Sequence, residues 1–351
     1  MIIKTDIEEF LSLALQYPVL DARSPGEYDH AHIPGAYSLP LFTDEERKVV
    51  GTAYKQESRE QAIKNGLDFF GVKMRKMVED AEAITAAHHK TQPSNCVLVH
   101  CWRGGMRSAA VAWLLDLYGF KVYLLKGGYK VYRQWTLQQF EKPVSFRMIG
   151  GYTGSGKTMV LQDLQKRGKV TLDLEGLANH KGSAFGGLGK NGQPTQEQFE
   201  NDLAQHIHAL PTDAPVWVED ESRRIGDLNI PLQVWTNMRQ SPIYFMDIAM
   251  EVRLDHIVEE YGKFKKEDLV TTIMRISKRL GGLGTRDAIN HILEGNIKES
   301  FSILLAYYDK FYLQGLYNRA NTDELITKVA SHTVNPQTNG NLLLSAAAMN
   351  Y

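Results

Sequence analysis

Residues 151–158 read GYTGSGKT, a complete G-x-x-x-x-G-K-T run, and no other stretch narrows the choice of fold as much. The run works only when a strand delivers it and a helix leaves it, because its backbone N–H groups must converge at the helix N-terminus. Both neighbours are present: SFRMIG precedes it with strand character, and MVLQDLQKRG follows with helical character. Further strands recur at KVTLDL, PVWVED and PIYFMDI with helical patterns between them, which predicts an α/β unit on a parallel sheet. From about Val252 the chain reads mostly as helix.

The chemistry of this loop is phosphate binding. Gly151, Gly154 and Gly156, with Ser155 among them, let backbone N–H groups face phosphate oxygens; Lys157 adds a point charge, and Thr158 offers a hydroxyl to Mg²⁺. The motif specifies a phosphate rather than a nucleotide. Holding a metal or its water also needs an acid, and PVWVEDESRR places Glu219 and Asp220 at the end of an apolar strand. Asp220 is the expected metal residue and Glu219 the next choice; the competing reading is a solvated acidic turn paired with Arg223 and Arg224. Between these elements, LEGLANHKGSAFGGLGKNGQPT sets His180, Lys181, Ser183 and Phe185 among glycines, as in a loop that clamps a ligand. Thr195 and Gln198 form a capping box for the helix QEQFENDLAQHIHAL, whose His206 and His208 fall on different faces and do not read as a metal pair.

The first half alternates VLDAR, CVLVHC and KVYLLKGG with a helix from about Ser108 to Leu117, which predicts a second α/β unit with a parallel sheet. The charged stretch from Leu41 to His89 has no convincing strand and reads as a helical insertion. A break in patterning at TLQQFEKPVS divides the chain into domains 1–140 and 145–351. The only cysteines, Cys96 and Cys101, flank the apolar run VLVH; as a strand it holds them ~16 Å apart, too far for a disulfide. A free thiol suits a reducing compartment.

Cys101 ends that strand and precedes WRGGMRS. A thiol before a glycine-bearing loop and a helix N-terminus sits among converging N–H groups that stabilise a thiolate. Arg107 closes the loop as C-x-x-x-x-x-R, and Gly104 and Gly105 let the backbone curl around an anion, whether phosphate or a sulfur or selenium group. Cys96 has no such surroundings and reads as packing; His100 reads as a hydrogen-bonding residue at the strand end.

Upstream, LDARSPGEYDHAHIPGAYSLP resembles the rhodanese signature, and the Cys101 loop stands where that family carries its catalytic cysteine. Asp21 and Arg23 would then support the loop's surroundings rather than react. The order of a rhodanese-like α/β domain with a helical insertion, a P-loop NTPase-like parallel-sheet domain and a helical C-terminal region is similar to that of bacterial tRNA 2-selenouridine synthases. HCWRGGMRS, GGYTGSGKT, ANHKGSAFGG and VEDESRRIG carry the resemblance, which runs from about Leu20 to at least Gly284.

The resemblance implies replacement of sulfur by selenium at the wobble 2-thiouridine of Lys, Glu and Gln tRNAs. Selenophosphate would be the selenium donor, and S-geranylation from geranyl diphosphate the intermediate step. Alkylation makes chemical sense, since it turns a poor leaving group into a neutral thiol. It further implies that Cys101 handles selenium through a selenylsulfide, while Arg103 and Arg107 steady the phosphate of selenophosphate. Lys157 and Thr158, with Mg²⁺, would bind the geranyl donor's diphosphate; Phe185 and Trp217 would line a groove for its chain. The C-x-x-x-x-x-R loop also occurs in dual-specificity phosphatases, so a phosphatase or sulfurtransferase coupled to a nucleotide-binding domain is the alternative enzyme. A non-catalytic rhodanese-like module attached to a nucleotide switch is the alternative binding protein.

Composition limits the partners. Forty Lys and Arg against 41 Asp and Glu give a net charge of −1, so RNA contact must use local patches such as Lys263, Lys265 and Lys266 or Arg275, Lys278 and Arg279. The opening segment lacks the apolar core of a signal peptide, and no run approaches the ~20 apolar residues of a membrane span, so a soluble cytoplasmic enzyme is expected.

Overall fold

The structure, a computed structural model, describes residues 1–88 and 95–349; His89, the last residue of the expected helical insertion, lies outside them. The chain divides into two compact units, Met1–Gln139 with Glu200–Gln205, and Phe140–Phe199 with His206–Tyr351.

The first unit is built on β1 (Ile2–Thr5), β2 (Val19–Asp21), β3 (Tyr37–Ser38), β4 (Cys96–His100) and β5 (Lys121–Leu125). They pair in the order β1-β5-β4-β2-β3, every pair parallel. Central β4 is an unbroken apolar run because both its faces are covered, with Val97, Leu98 and Val99 fully buried. The edge strand β1 escaped the sequence reading: IIKT is short and three of its four residues are not buried, so no alternation marks it.

The charged insertion folds as helices Asp44–Gln56, Arg59–Gly71 and Met74–His88. Thr43 and Glu46 close the first with a reciprocal capping box, and Ser58 caps the second. The helix after the cysteine loop runs Met106–Tyr118 and stops at Gly119, whose φ of +113° is left-handed.

The second unit carries β6 (Phe146–Gly151), β7 (Thr171–Leu172), β8 (Val216–Glu219), β9 (Arg224–Ile225), β10 (Leu228–Asn229), β11 (Ile243–Ile248) and β12 (Ile326–Ser331). Five of these form a parallel sheet in the order β12-β11-β6-β8-β7; β9 and β10 make an antiparallel pair. KVTLDL contributes only two strand residues. The larger departure is β12, which lies in the stretch read as helix and pairs with β11 from Ile243↔Ile326 to Ile248↔Ser331. Its sequence, ITKVAS, has Val329 and Ser331 as its buried residues, too weak a pattern to compete with the helical signal around it.

Helices Met250–Tyr261, Lys266–Arg275, Gly282–Glu294 and Ile297–Tyr317 share a core of Leu254, Ile257, Leu269, Ile273, Ile292, Phe301 and Leu304. Among the described residues no helix is long and apolar enough to cross a membrane.

Candidate functional site

The turn between β4 and the helix Met106–Tyr118 carries Cys101, which is 3% exposed. Its Sγ lies 3.1 Å from Ser108 Oγ, which in turn lies 3.2 Å from the Gly105 carbonyl. A second backbone segment clamps this loop. Tyr129 N–H donates to the Cys101 carbonyl at 2.8 Å, and Lys130 N–H donates to that of Trp102 at 3.0 Å. The approach is so close that a Cβ on Gly128 (φ +61°) would stand 2.3 Å from the Cys101 oxygen and 2.5 Å from Gly104 N. Reading KVYLLKGG only as a strand missed this wall; the signal was the glycine doublet after a neighbouring parallel strand.

Arg107 is engaged from behind, donating to Glu27 Oε2 at 2.6 Å and to Oε1 at 3.3 Å. Burial works against its charge, but the Glu27 carboxylate and the nearby Cys101 sulfur more than offset this and raise its pKa. Arg103 is exposed on the same loop. The structure thus brings Cys101 and Arg107 together and leaves Arg103 at the surface.

Asp21 and Arg23 form a fully buried fork, with Arg23 NH2 2.6 Å from Asp21 Oδ2 and 2.7 Å from the Ala31 carbonyl. The guanidinium lies 3.8 Å from the ring centre of Tyr129, the residue whose N–H holds Cys101. His100 is fully buried 3.7 Å from Asp21 Oδ2; burial lowers its pKa despite that carboxylate's attraction.

In the second unit, β6 runs into the phosphate loop and the helix Lys157–Lys166 leaves it. Gly154 and Gly156 have φ of +83° and +76°, and a Cβ on Gly154 would stand 2.8 Å from Ile257. Buried Arg253 braces the loop by donating to the Thr153 carbonyl at 3.0 Å while forked onto Asp309. The Ser155 hydroxyl is buried with no hydrogen-bond partner among the described residues, and Lys157 Nζ turns back onto the Gly151 carbonyl at 3.0 Å.

The acids are arranged differently from expectation. Thr158 Oγ1 donates to Glu175 Oε2 at 2.9 Å. Glu219 is fully buried, and neither of its oxygens has a partner among the described residues. Burial first, then the charge of Glu175, push the pKa values of Glu219 and Glu221 well above the usual carboxylate range. Glu175 is itself raised by burial, against the pull of Lys157 and Thr158. Asp220, the expected metal residue, instead accepts the Tyr312 hydroxyl at 2.7 Å and pairs with Arg319. The Tyr312 oxygen in turn receives the Gly151 N–H at 3.1 Å. Asp220 is thus engaged by Tyr312 and Arg319, and the acids beside Thr158 are Glu175 and Glu219. An unpaired buried carboxylate next to this hydroxyl suits Mg²⁺, which takes one or two carboxylates and completes its shell with water and substrate phosphates. Among the described residues no group of three or more His, Cys, Asp or Glu side chains is placed to hold a metal ion.

The phosphate loop opens into a cavity of about 1130 Å³ that Lys181, Ser183, Glu175, Asp220 and Glu221 also line. His180 is not among the lining residues; its pKa is lowered by burial, and Gly186 and Gly187 pack around its ring. Lys181 pairs with Glu260 at the cavity edge. Phe185 and Trp217 do not line a groove: Phe185 packs among Tyr261 and Phe301, and Trp217 lies in the sheet core. The cavity's apolar side comes instead from Ile257, Tyr261, Tyr308, Phe311 and Leu316.

Fold and loops together define a rhodanese-like unit joined to a P-loop unit. Comparison with known proteins agrees: the family described as Rhodanese-like domain matches residues 6–134, and that described as tRNA 2-selenouridine synthase AAA domain matches residues 144–337. A tRNA 2-selenouridine synthase of a Sulfurovum species is 34% identical over 340 residues, covering 88% of this chain and 90% of the relative. The one from Bdellovibrio bacteriovorus is 33% identical over 351 residues, covering 86% and 89%. That of Nitrosomonas europaea is 39% identical over 253 residues, covering 70% of this chain and 63% of the relative. The chain belongs to the tRNA 2-selenouridine synthase family.

Proposed function

We propose that this enzyme replaces sulfur by selenium at the wobble 2-thiouridine of Lys, Glu and Gln tRNAs in the cytoplasm. Selenium comes from selenophosphate after S-geranylation from geranyl diphosphate. The observation that carries the reading is the seat of Cys101: a thiol at the floor of an anion loop, beside Ser108 and an arginine kept charged by Glu27. Family membership supports the tRNA substrate and the selenium product.

In this reading the substrate sulfur attacks the first carbon of the geranyl chain and displaces diphosphate. Selenium then adds at carbon 2 of the base, and geranylthiol departs. The Cys101 thiolate attacks the phosphorus of selenophosphate and the P–Se bond breaks, releasing selenide for that addition; water then cleaves the S-phosphocysteine to phosphate, with the loop N–H groups, Arg107 and the exposed Arg103 holding the phosphoryl group.

In the second unit, Gly151, Gly154, Ser155, Gly156 and Lys157 hold the diphosphate, while Lys181 and Ser183 border it. Thr158, Glu175 and Glu219 would hold Mg²⁺, which when bound neutralises charge on the departing diphosphate. Tyr308, Phe311 and Leu316 give the geranyl chain an apolar wall.

The test is to incubate the full chain with 2-thiouridine tRNA, geranyl diphosphate, Mg²⁺ and selenophosphate, and to weigh the digested nucleosides by mass spectrometry. The expected product is 2-selenouridine; Cys101→Ser stalls at the geranylated nucleoside, and Lys157→Ala forms neither. An unchanged tRNA with active controls overturns the reading and makes phosphate-ester hydrolysis by Cys101 the next assay.

A further inference from the structure

The cavity beside the phosphate loop contains a second concentration of positive charge that the loop does not explain. The side chain of Arg319 is 3% exposed and lines the cavity. Its NH2 group pairs with Asp220, but its Nε and NH1 have no hydrogen-bond partner among the described residues. Asp220 is also shared with the Tyr312 hydroxyl. Arg239 lines the same cavity and, among the described residues, donates to neutral acceptors, the carbonyls of Gly315 at 3.0 Å and Asn318. It is close enough to Arg319 and Asp220 to feel both charges, with burial as the largest influence and the repulsion of Arg319 next.

Arg319 is thus paired with Asp220, while Arg239 lines the same cavity with its donors on backbone carbonyls. Arg239's bonds to Gly315 and Asn318 are an ordinary use of a cation near the end of the helix Ile297–Tyr317. That role does not account for Arg319: a buried guanidinium with Nε and NH1 unsatisfied is costly unless an acceptor arrives. Planar N–H donors on neighbouring guanidiniums match the oxygens of a phosphoryl group.

We propose that Arg239 and Arg319 form a second anion subsite, separate from the cradle of Gly151–Thr158, that takes a phosphoryl oxyanion. Asp220 and Tyr312 are its positioning residues. Asp220 orients Arg319, and Tyr312 joins Asp220 to the Gly151 N–H, tying the subsite to the first residue of the phosphate loop. The inference rests on the cavity and its charges, and not on which donor the phosphate loop carries.

The phosphoryl group has two sources, a small phosphorylated donor spanning both subsites or a backbone phosphate of the RNA substrate. Affinities of inorganic diphosphate and of unmodified tRNA are measured by titration calorimetry, the tRNA at several salt concentrations, for the full chain and for Arg239→Gln, Arg319→Lys and Lys157→Ala. Thermal melting checks that each variant is folded. Arg319→Lys keeps the charge opposite Asp220, so it tests the fork rather than the fold.

We expect Arg239→Gln and Arg319→Lys to weaken one probe by about tenfold or more, as loss of a charge-assisted contact does. Weakened diphosphate binding assigns the subsite to the donor. Weakened tRNA binding, with the salt slope reduced by roughly 0.7–0.9, assigns it to an RNA phosphate. Unchanged affinity for both probes in folded variants overturns the subsite. Neither readout requires selenium chemistry, so it can fail while the proposed reaction stands, and Lys157→Ala reports on the phosphate loop independently.

Discussion

The cysteine loop and the phosphate loop use one device for two purposes. Each follows a central strand of a parallel sheet, β4 in one case and β6 in the other, and each ends at a helix that starts at once, at Met106 or Lys157. Both aim backbone N–H groups at an anion. Their surroundings differ. Around Cys101 the acid is set back behind Arg107, whose charge Glu27 helps to maintain. Around Thr158 the acids Glu175, Glu219 and Glu221 lie close together, and burial with their neighbouring charges raises their pKa values. In the proposed reaction the first loop would hold the nucleophile and the second the departing diphosphate.

The comparison breaks most directly at the two reactive side chains. Cys101→Ser should lower 2-selenouridine formation on the order of 10⁴-fold, the usual scale for losing a nucleophile, while diphosphate affinity stays as in the wild type. Equal loss of both functions would show that the loops do not divide the work. Lys157→Ala should lower geranylation roughly 10²–10³-fold, the scale for removing one charge-stabilising donor, and should leave alkylation of Cys101 by iodoacetamide at its wild-type rate. A changed alkylation rate would contradict separate roles.

Both loops were legible in the sequence because each is contiguous: C-x-x-x-x-x-R and G-x-x-x-x-G-K-T declare their backbone geometry within eight residues or fewer. Their surroundings were not, because packing assembles them from remote positions. Glu175 reaches Thr158 from another helix, Tyr312 and Arg319 come from near the end of a helical region, and Arg253 reaches Thr153 across the sheet. Glu219 ends β8 and Asp220 follows it, and pattern alone could not tell which would face Thr158; Glu219 lies near Thr158, while Asp220 accepts the Tyr312 hydroxyl. Phe185 and Trp217 were attractive groove residues by type, yet a large apolar side chain is more often core, and both are.

A smaller effect separates backbone clamping from open loop. Gly128→Ala drives a Cβ to 2.3 Å from the Cys101 carbonyl at a φ of +61°, whereas Gly105→Ala meets nothing within 4 Å. The first should cost about 2–4 kcal/mol in a urea titration, as overpacking combined with a left-handed non-glycine residue does. The second should stay within about 1 kcal/mol. Comparable losses would mean that the Gly127–Gly128 segment does not set the shape of the cysteine loop.

The smallest effect is electrostatic and concerns His100 beneath that loop. In the unfolded chain a histidine takes up a proton near pH 6.5. Burial holds the folded pKa of His100 lower, against the attraction of Asp21. Between those two values the unfolded state binds more protons, so stability must fall as pH falls below about 6.5, by at most ~1.4 kcal/mol per pH unit. Glu27 acts in a separate, more acidic window: Arg107 and the Ser24 N–H lower its pKa against burial, so its contribution is present above its unfolded pKa and disappears only as pH drops through its folded one. The raised carboxylates near Thr158 have the opposite sign, favouring the folded state as pH falls. The shape of the wild-type curve alone therefore cannot isolate His100, but substitution can. Urea midpoints at pH 7.5, 6.5 and 5.5 should show His100→Gln losing less stability on acidification than the wild type; parallel curves would mean that burial does not shift His100 at all, and a greater loss in the variant that Asp21 holds His100 protonated.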